Sequence, residues 1–188
     1  LPISLGVVIP FIMTLGMQIT LRGACYLICE GKPIGNIPDS MLSLGIGSLG
    51  GIPIPIFFML GTFVVVGIIL SRTSFGRSVY AVGGNRKAAI LSGINTKRVD
   101  FTLFVHMGFL SAIAAVCVLS RLSSATAQAG MEFEMDAIAA CFIGGTAVTG
   151  GVGTIPGAVV GALVMGVINQ GLSIMGVDTA VVKTIKGL

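Results

Sequence analysis

One histidine, four cysteines and seven acids are the side chains through which this 188-residue chain could do chemistry. Their spacing rules most of it out. His106 stands alone in an apolar run, so neither a Ser-His-Asp relay nor a His-ligated metal can be assembled. On such a helix a lone histidine is a satisfied core polar group or, in an ion-coupled transporter, a proton carrier. Cys25 and Cys29 share a helix face at i, i+4, while Cys117 and Cys141 lie far along the chain. None pairs with His in a zinc-like spacing, and buried cysteine behaves as a small hydrophobe. Glu132, Glu134 and Asp136 form the one acidic cluster, which fits the solvated start of a helix better than a cation site. No G-x-x-x-x-G-K-[ST] occurs, so the chain carries no phosphate-binding loop of its own. Gly151-Val152-Gly153-Thr154-Ile155-Pro156-Gly157 is one residue off the dinucleotide fingerprint and is embedded in an apolar run. No catalytic residue and no metal ligand is assigned.

The elements that would position any site are membrane helices. Hydrophobic residues make up 54% and charged residues 10% of the chain, with 28 glycines, and the mean hydropathy is +1.04. Disorder requires the opposite composition. A soluble domain would need far more charge on its surface. Apolar, charge-poor and glycine-rich together describe an all-α polytopic membrane bundle, where small residues let helices approach closely. With no Trp and no basic patch interleaved with aromatics, nucleic acid is not a partner; the lipid bilayer is.

A bilayer core of about 30 Å takes about 20 helical residues. Phe11–Ile28, Ile52–Leu70 and Phe101–Ser120 are predicted spans, the first containing Arg22. Ala137–Val177 is a stretch of 41 residues without a charge, about 61 Å as one helix and therefore too long to cross once. It is expected to fold back into a short span over 136–149, a glycine turn, and a span over 155–174. Gly144, Gly145, Gly150, Gly151, Gly153 and Gly157 mark the break. Gly157 and Gly161 supply a G-x-x-x-G packing ridge, with Ala158, Ala162 and Gly166 beside it. The chain begins at Leu1 without Met and stops at Lys186-Gly187-Leu188, where an apolar run begins. It is read as part of a longer chain, with five spans and a sixth cut off, forming one transmembrane domain over 1–188.

Residues 72–99 carry six of the eleven basic residues and no acid, which makes this loop cytoplasmic by the positive-inside rule. Asn85 is a good N-cap, Ala88, Ala89 and Leu91 lie in a helix-forming stretch, and Gly93 is a good stop. A short helix over Asn85–Ser92 is therefore expected on the cytoplasmic face, either as a surface staple or as a docking knob.

Several segments carry a resemblance. Phe75-Gly76-Arg77-Ser78-Val79-Tyr80-Ala81-Val82-Gly83-Gly84-Asn85, followed by Ala88-Ala89 and Leu91-Ser92-Gly93-Ile94, resembles the coupling loop of ribose/xylose/arabinose-type permeases. These are membrane subunits of bacterial ATP-binding-cassette (ABC) sugar importers. Similar segments follow in order at Glu134-Met135-Asp136-Ala137, Ile143-Gly144-Gly145-Thr146, Gly157–Leu163 and Asn169-Gln170-Gly171-Leu172. Within the family the likeness is greatest to xylose or multiple-sugar permeases. One departure is Arg86-Lys87 after Gly83-Gly84-Asn85, where relatives often carry acids; cations there oppose the helix dipole by a few tenths of a kcal/mol.

The resemblance implies the C-terminal half of a subunit with roughly ten spans, in the bacterial cytoplasmic membrane. It makes Gly83, Gly84, Asn85, Ala88, Ala89, Leu91, Ser92 and Gly93 the coupling residues toward a separate ABC ATP-binding subunit, which would hold ATP and magnesium. Gly144, Gly145, Gly150, Gly151, Gly153, Gly157 and Gly161 become the packing and hinge residues. The implied partners also include a second permease subunit and a periplasmic or lipid-anchored sugar-binding protein. The expected function is translocation of a monosaccharide, with no enzymatic activity in the chain and no cofactor bound by it. The alternatives are an ion-coupled secondary transporter and an inactive remnant. Substrate residues are not legible: Trp is absent, Tyr26 and Tyr80 are the only tyrosines, and beside the 10 Phe the spans hold few polar groups to bind a sugar.

Overall fold

Prolines, asparagines and threonines set where the helices begin. The computed structural model describes residues 10–35 and 37–178, together with 181, 182 and 184. Two compact units result, Leu1–Met131 and Glu132–Leu188.

In the first unit, α1 (Pro10–Cys29) is the predicted first span. A stretch not anticipated from the sequence follows: α2 (Asp39–Ile46) and a hairpin of β1 (Ser48–Leu49) with β2 (Ile52–Pro53), turning on Gly50 and Gly51, both at positive φ. A two-residue turn of this kind needs positive φ at both positions, which glycine adopts freely. Ile52 therefore belongs to the hairpin rather than to the span, and α3 (Ile54–Arg72) starts two residues late, with the Ile54 N–H donating to the Gly47 carbonyl at 3.0 Å.

The basic segment is far more helical than expected. Beyond the short helix it contains α4 (Ser74–Gly84), capped by the Thr73 hydroxyl, which accepts from the Gly76 N–H at 3.2 Å. Glycines 76, 83 and 84 disguise this helix in the sequence. Gly76 is buried, and a Cβ there would run into the Leu70 carbonyl, so the sharp turn from α3 to α4 depends on it. After α5 (Arg86–Leu91) comes α6 (Thr96–Leu122), which begins five residues before the predicted span. The cause is a second asparagine cap: Asn95 Oδ1 accepts from the Arg98 N–H at 3.1 Å. At 27 residues, α6 is about 40 Å long, more than a bilayer core requires.

At the other end of α6, Ser120 is fully buried, and Gly45 of α2 packs on the backbone of Ser120 and Arg121. A bridge between Ile34 and Ala125 adds paired backbone bonds of 2.8 and 2.9 Å. The 31–53 segment thus clasps that end of the helix.

The second unit is a helix hairpin of α7 (Phe133–Ile143) and α8 (Ile155–Ile174). The charge-free stretch does fold back where the glycines cluster. However, α7 has 11 residues, about 16 Å, because it stops at Gly144 and Gly145 is at positive φ. Four helices among the described residues, α1, α3, α6 and α8, are long and apolar enough to cross a membrane; the expected fifth is half-length. The run proposed for a sixth, at 186–188, lies outside the described residues.

Candidate functional site

The short helix of the basic segment forms as its caps require. Asn85 Oδ1 accepts from the Ala88 N–H at 3.0 Å. At the other end the Ser92 N–H donates to the Ala88 carbonyl and the Ile94 N–H to the Ala89 carbonyl, with Gly93 at φ +81°. That left-handed residue closes the helix in the way glycine favours. Gly83 and Gly84, expected beside Asn85 in a loop, form the last turn of α4 instead. The residues expected to couple therefore form a helix, a one-residue corner at Asn85, and a second helix.

The two faces of α5 differ. Ala89 is 3% exposed, and across from α5 the start of α6 contributes the buried Thr96 and Val99. Leu91 is 89% exposed and Ile90 more than half exposed. The Arg86 guanidinium Nη2 sits 2.6 Å from Asp100 Oδ2, tying α5 to the first turns of α6. Asp100, the acid nearest the basic segment, is thus used internally, and Lys87, Lys97 and Arg98 remain exposed around the helix. Sequence reasoning grouped Arg86 with Lys87; the structure separates their roles.

His106 is employed structurally. Its Nδ1 lies 2.8 Å from the Thr102 carbonyl oxygen, within reach to donate to it. Its ring stacks on Phe75 of α4 at 5.5 Å between centroids. α4 and α6 are thereby joined by an aromatic contact as well as through α5. Nothing in the sequence signalled this pair, which lies 31 residues apart.

In the hairpin, the glycines divide by role. A Cβ on Gly161 would collide with the Ala140 carbonyl, one on Gly157 with the Gly144 carbonyl, and one on Gly144 with the Gly157 carbonyl. These three are where α7 and α8 meet backbone to backbone, as the G-x-x-x-G ridge predicts. Gly153 abuts the Thr146 side chain, with a Cβ position 3.1 Å from Oγ1. Gly145, Gly150 and Gly151 serve the turn through positive φ, and the turn is closed by the Ala147 N–H on the Val152 carbonyl at 3.1 Å. Gly166, on the expected ridge, faces open space.

The other end of this helix pair carries a polar contact. Asn169 Nδ2 donates to Asp136 Oδ2 at 3.0 Å, while Asn169 Oδ1 is buried without a hydrogen-bond partner. A buried acceptor left unsatisfied costs about 1–3 kcal/mol.

Four helices of membrane-crossing length, a capped, basic, multi-helix segment and a glycine-packed hairpin define a polytopic helical membrane protein. The chain belongs to the family of the branched-chain amino acid transport system / permease component, whose profile matches residues 7–188. It is similar to the ribose import permease protein RbsC of Bacillus subtilis, 40% identical over 188 residues, covering 99% of this chain and 58% of the relative. The Haemophilus influenzae protein of the same name is 41% identical, covering 94% of this chain and 56% of the relative. The L-arabinose transport system permease protein AraH of Escherichia coli is 33% identical, covering 94% and 54%. These names fall in the ribose/xylose/arabinose group expected from the coupling-loop motif, and they are ribose and arabinose names rather than the xylose or multiple-sugar ones expected within it. The chain spans a little over half the length of each relative. No solved structure matches it.

Proposed function

We propose that this chain is the membrane-crossing part of a permease subunit in an ATP-driven importer that carries a ribose- or arabinose-type monosaccharide into the cell. ATP and magnesium belong to a separate ATP-binding subunit, and hydrolysis takes place there. A second permease subunit completes the pathway, and a periplasmic or lipid-anchored binding protein delivers the sugar. The observation that carries this reading is α5: an apolar knob with Leu91 almost fully exposed, on the basic side of the chain, braced against a helix long enough to continue through the membrane. An exposed leucine outside the bilayer suits burial in a protein groove. Closure of the ATP-binding domains would push α5, and the Arg86–Asp100 and Phe75–His106 links would pass that movement to α6. The glycine hairpin would supply a packing unit hinged at its glycine contacts. The ribose and arabinose names of the relatives support the choice of cargo.

The test is ribose-stimulated ATP hydrolysis by the assembled full-length importer in proteoliposomes. Leu91→Glu places a charge where the knob should be buried and is expected to lower stimulated hydrolysis at least tenfold, or about 1.4 kcal/mol, while the subunit still inserts. Unchanged hydrolysis would remove α5 from the coupling role. Uptake of leucine in place of ribose would reject the monosaccharide assignment.

A further inference from the structure

The hairpin is held differently at its two ends. Near the turn, Gly144, Gly157 and Gly161 bring α7 and α8 into backbone contact. Toward the start of α7 the pair is held by Asp136 and Asn169, and there the Asn169 carbonyl oxygen is buried and unpaired. The amide nitrogen of Asn169 is committed to Asp136, so its oxygen is turned away from that carboxylate. Residues 132–178 contain no Lys or Arg, and the two lysines of this unit, Lys183 and Lys186, lie outside the described residues. A neutral hydroxyl can supply the missing donor.

We propose that Asp136 and Asn169 form a hydroxyl-binding subsite of the translocation path, in which Asn169 Oδ1 accepts from a hydroxyl of the polyhydroxylated cargo. This rests on the monosaccharide reading above. In the conformation described the oxygen is covered. It becomes reachable when α7 and α8 part at this end, with the glycine contacts acting as the hinge. The site is thus polar when open and closed over itself when empty, which suits a weak, transient sugar contact in a conduit. A carboxylate with an amide offers acceptors without requiring the Trp or Tyr ring faces that sugar sites commonly use, and this chain has no Trp and two Tyr.

The experiment measures uptake kinetics of the intact importer in proteoliposomes, with ribose and its monodeoxy analogues as probes. Asn169→Leu should raise the KM for ribose about tenfold. In the unmodified importer one deoxy position should carry a penalty of similar size, and that penalty should vanish in Asn169→Leu. Asn169→Gln retains the amide with its oxygen displaced and should give an intermediate KM, which keeps the test alive if the leucine variant folds poorly. A lowered thermal midpoint with unchanged KM in either variant would make the oxygen a structural water partner and overturn the proposal. So would equal deoxy penalties in both proteins, or uptake that requires sodium and loses that requirement in Asn169→Leu, since the pair would then hold a cation. Leucine uptake without ribose uptake would strike the monosaccharide reading itself, whereas ribose uptake indifferent to Asn169 would strike this subsite alone.

Discussion

Gly161→Leu is expected to prevent the α7–α8 hairpin from forming, with little folded protein recoverable from membranes. The position has no room for any side chain, because a Cβ there falls on the Ala140 carbonyl, which is helix backbone and cannot rotate away. Even Gly161→Ala should destabilise by about 1–3 kcal/mol, the usual range for overpacking a tight contact. Gly157→Ala should behave alike, since its Cβ would meet the Gly144 carbonyl. Gly166 lies on the same helix and faces open space. Gly166→Ala should therefore be neutral, or slightly stabilising through helix propensity. The measurement is thermal unfolding of the full-length subunit in detergent, followed by monodisperse fraction. Equal effects at positions 161 and 166 would mean that glycine is needed for flexibility rather than for contact.

That contrast marks what the sequence can tell and what it cannot. The small-residue ridge was legible because residues four apart share a helix face. Which of its members touch α7 was not, since that depends on where the partner helix crosses. The short helix over 86–91 was legible for the same local reason: an asparagine cap before it and a glycine stop after it are both set within a few residues. α4 was missed because its glycines lower helix propensity, and the reason Gly76 is there lies in Leu70, a contact made by the turn itself. The hairpin at 48–53 was hidden by its attachment to an apolar span, although Gly50-Gly51 between Leu49 and Ile52 was a turn signal. The contacts on which the proposed coupling and the proposed subsite rest escape local reading altogether. Asp136 and Asn169 are 33 residues apart, and Arg86 and Asp100 are 14 apart, on different helices. Only the packing of one helix on another brings such pairs together.

On the coupling role proposed for α5, Arg86→Glu should uncouple the importer without unfolding it, and adding Asp100→Arg should recover coupling. The energies decide between these two outcomes. The Arg86 side chain is 49% exposed and that of Asp100 18%, so the pair contributes no more than about 1 kcal/mol to stability, as partly exposed ion pairs do. Its loss leaves the helices intact. Its geometry matters more than its strength, because it is the one ion pair among the described residues that joins α5 to α6. With glutamate at 86, two carboxylates held about 4 Å apart would repel by about 4 kcal/mol at an effective dielectric of 20. The side chains would relax by moving apart, and α5 would lose its brace while keeping its own caps. Ribose-stimulated ATP hydrolysis should fall about tenfold, with the thermal midpoint within a few degrees of the unmodified protein. The exchanged pair, Arg86→Glu with Asp100→Arg, restores opposite charges and should return most of the stimulation. Lys87→Glu, on the exposed side of the same helix, should instead weaken docking in a salt-dependent way that no change at Asp100 corrects. Failure of the exchanged pair to recover, with Lys87→Glu and Arg86→Glu indistinguishable, would mean that both cations face the partner and that α5 transmits its motion through Ala89 and the backbone alone.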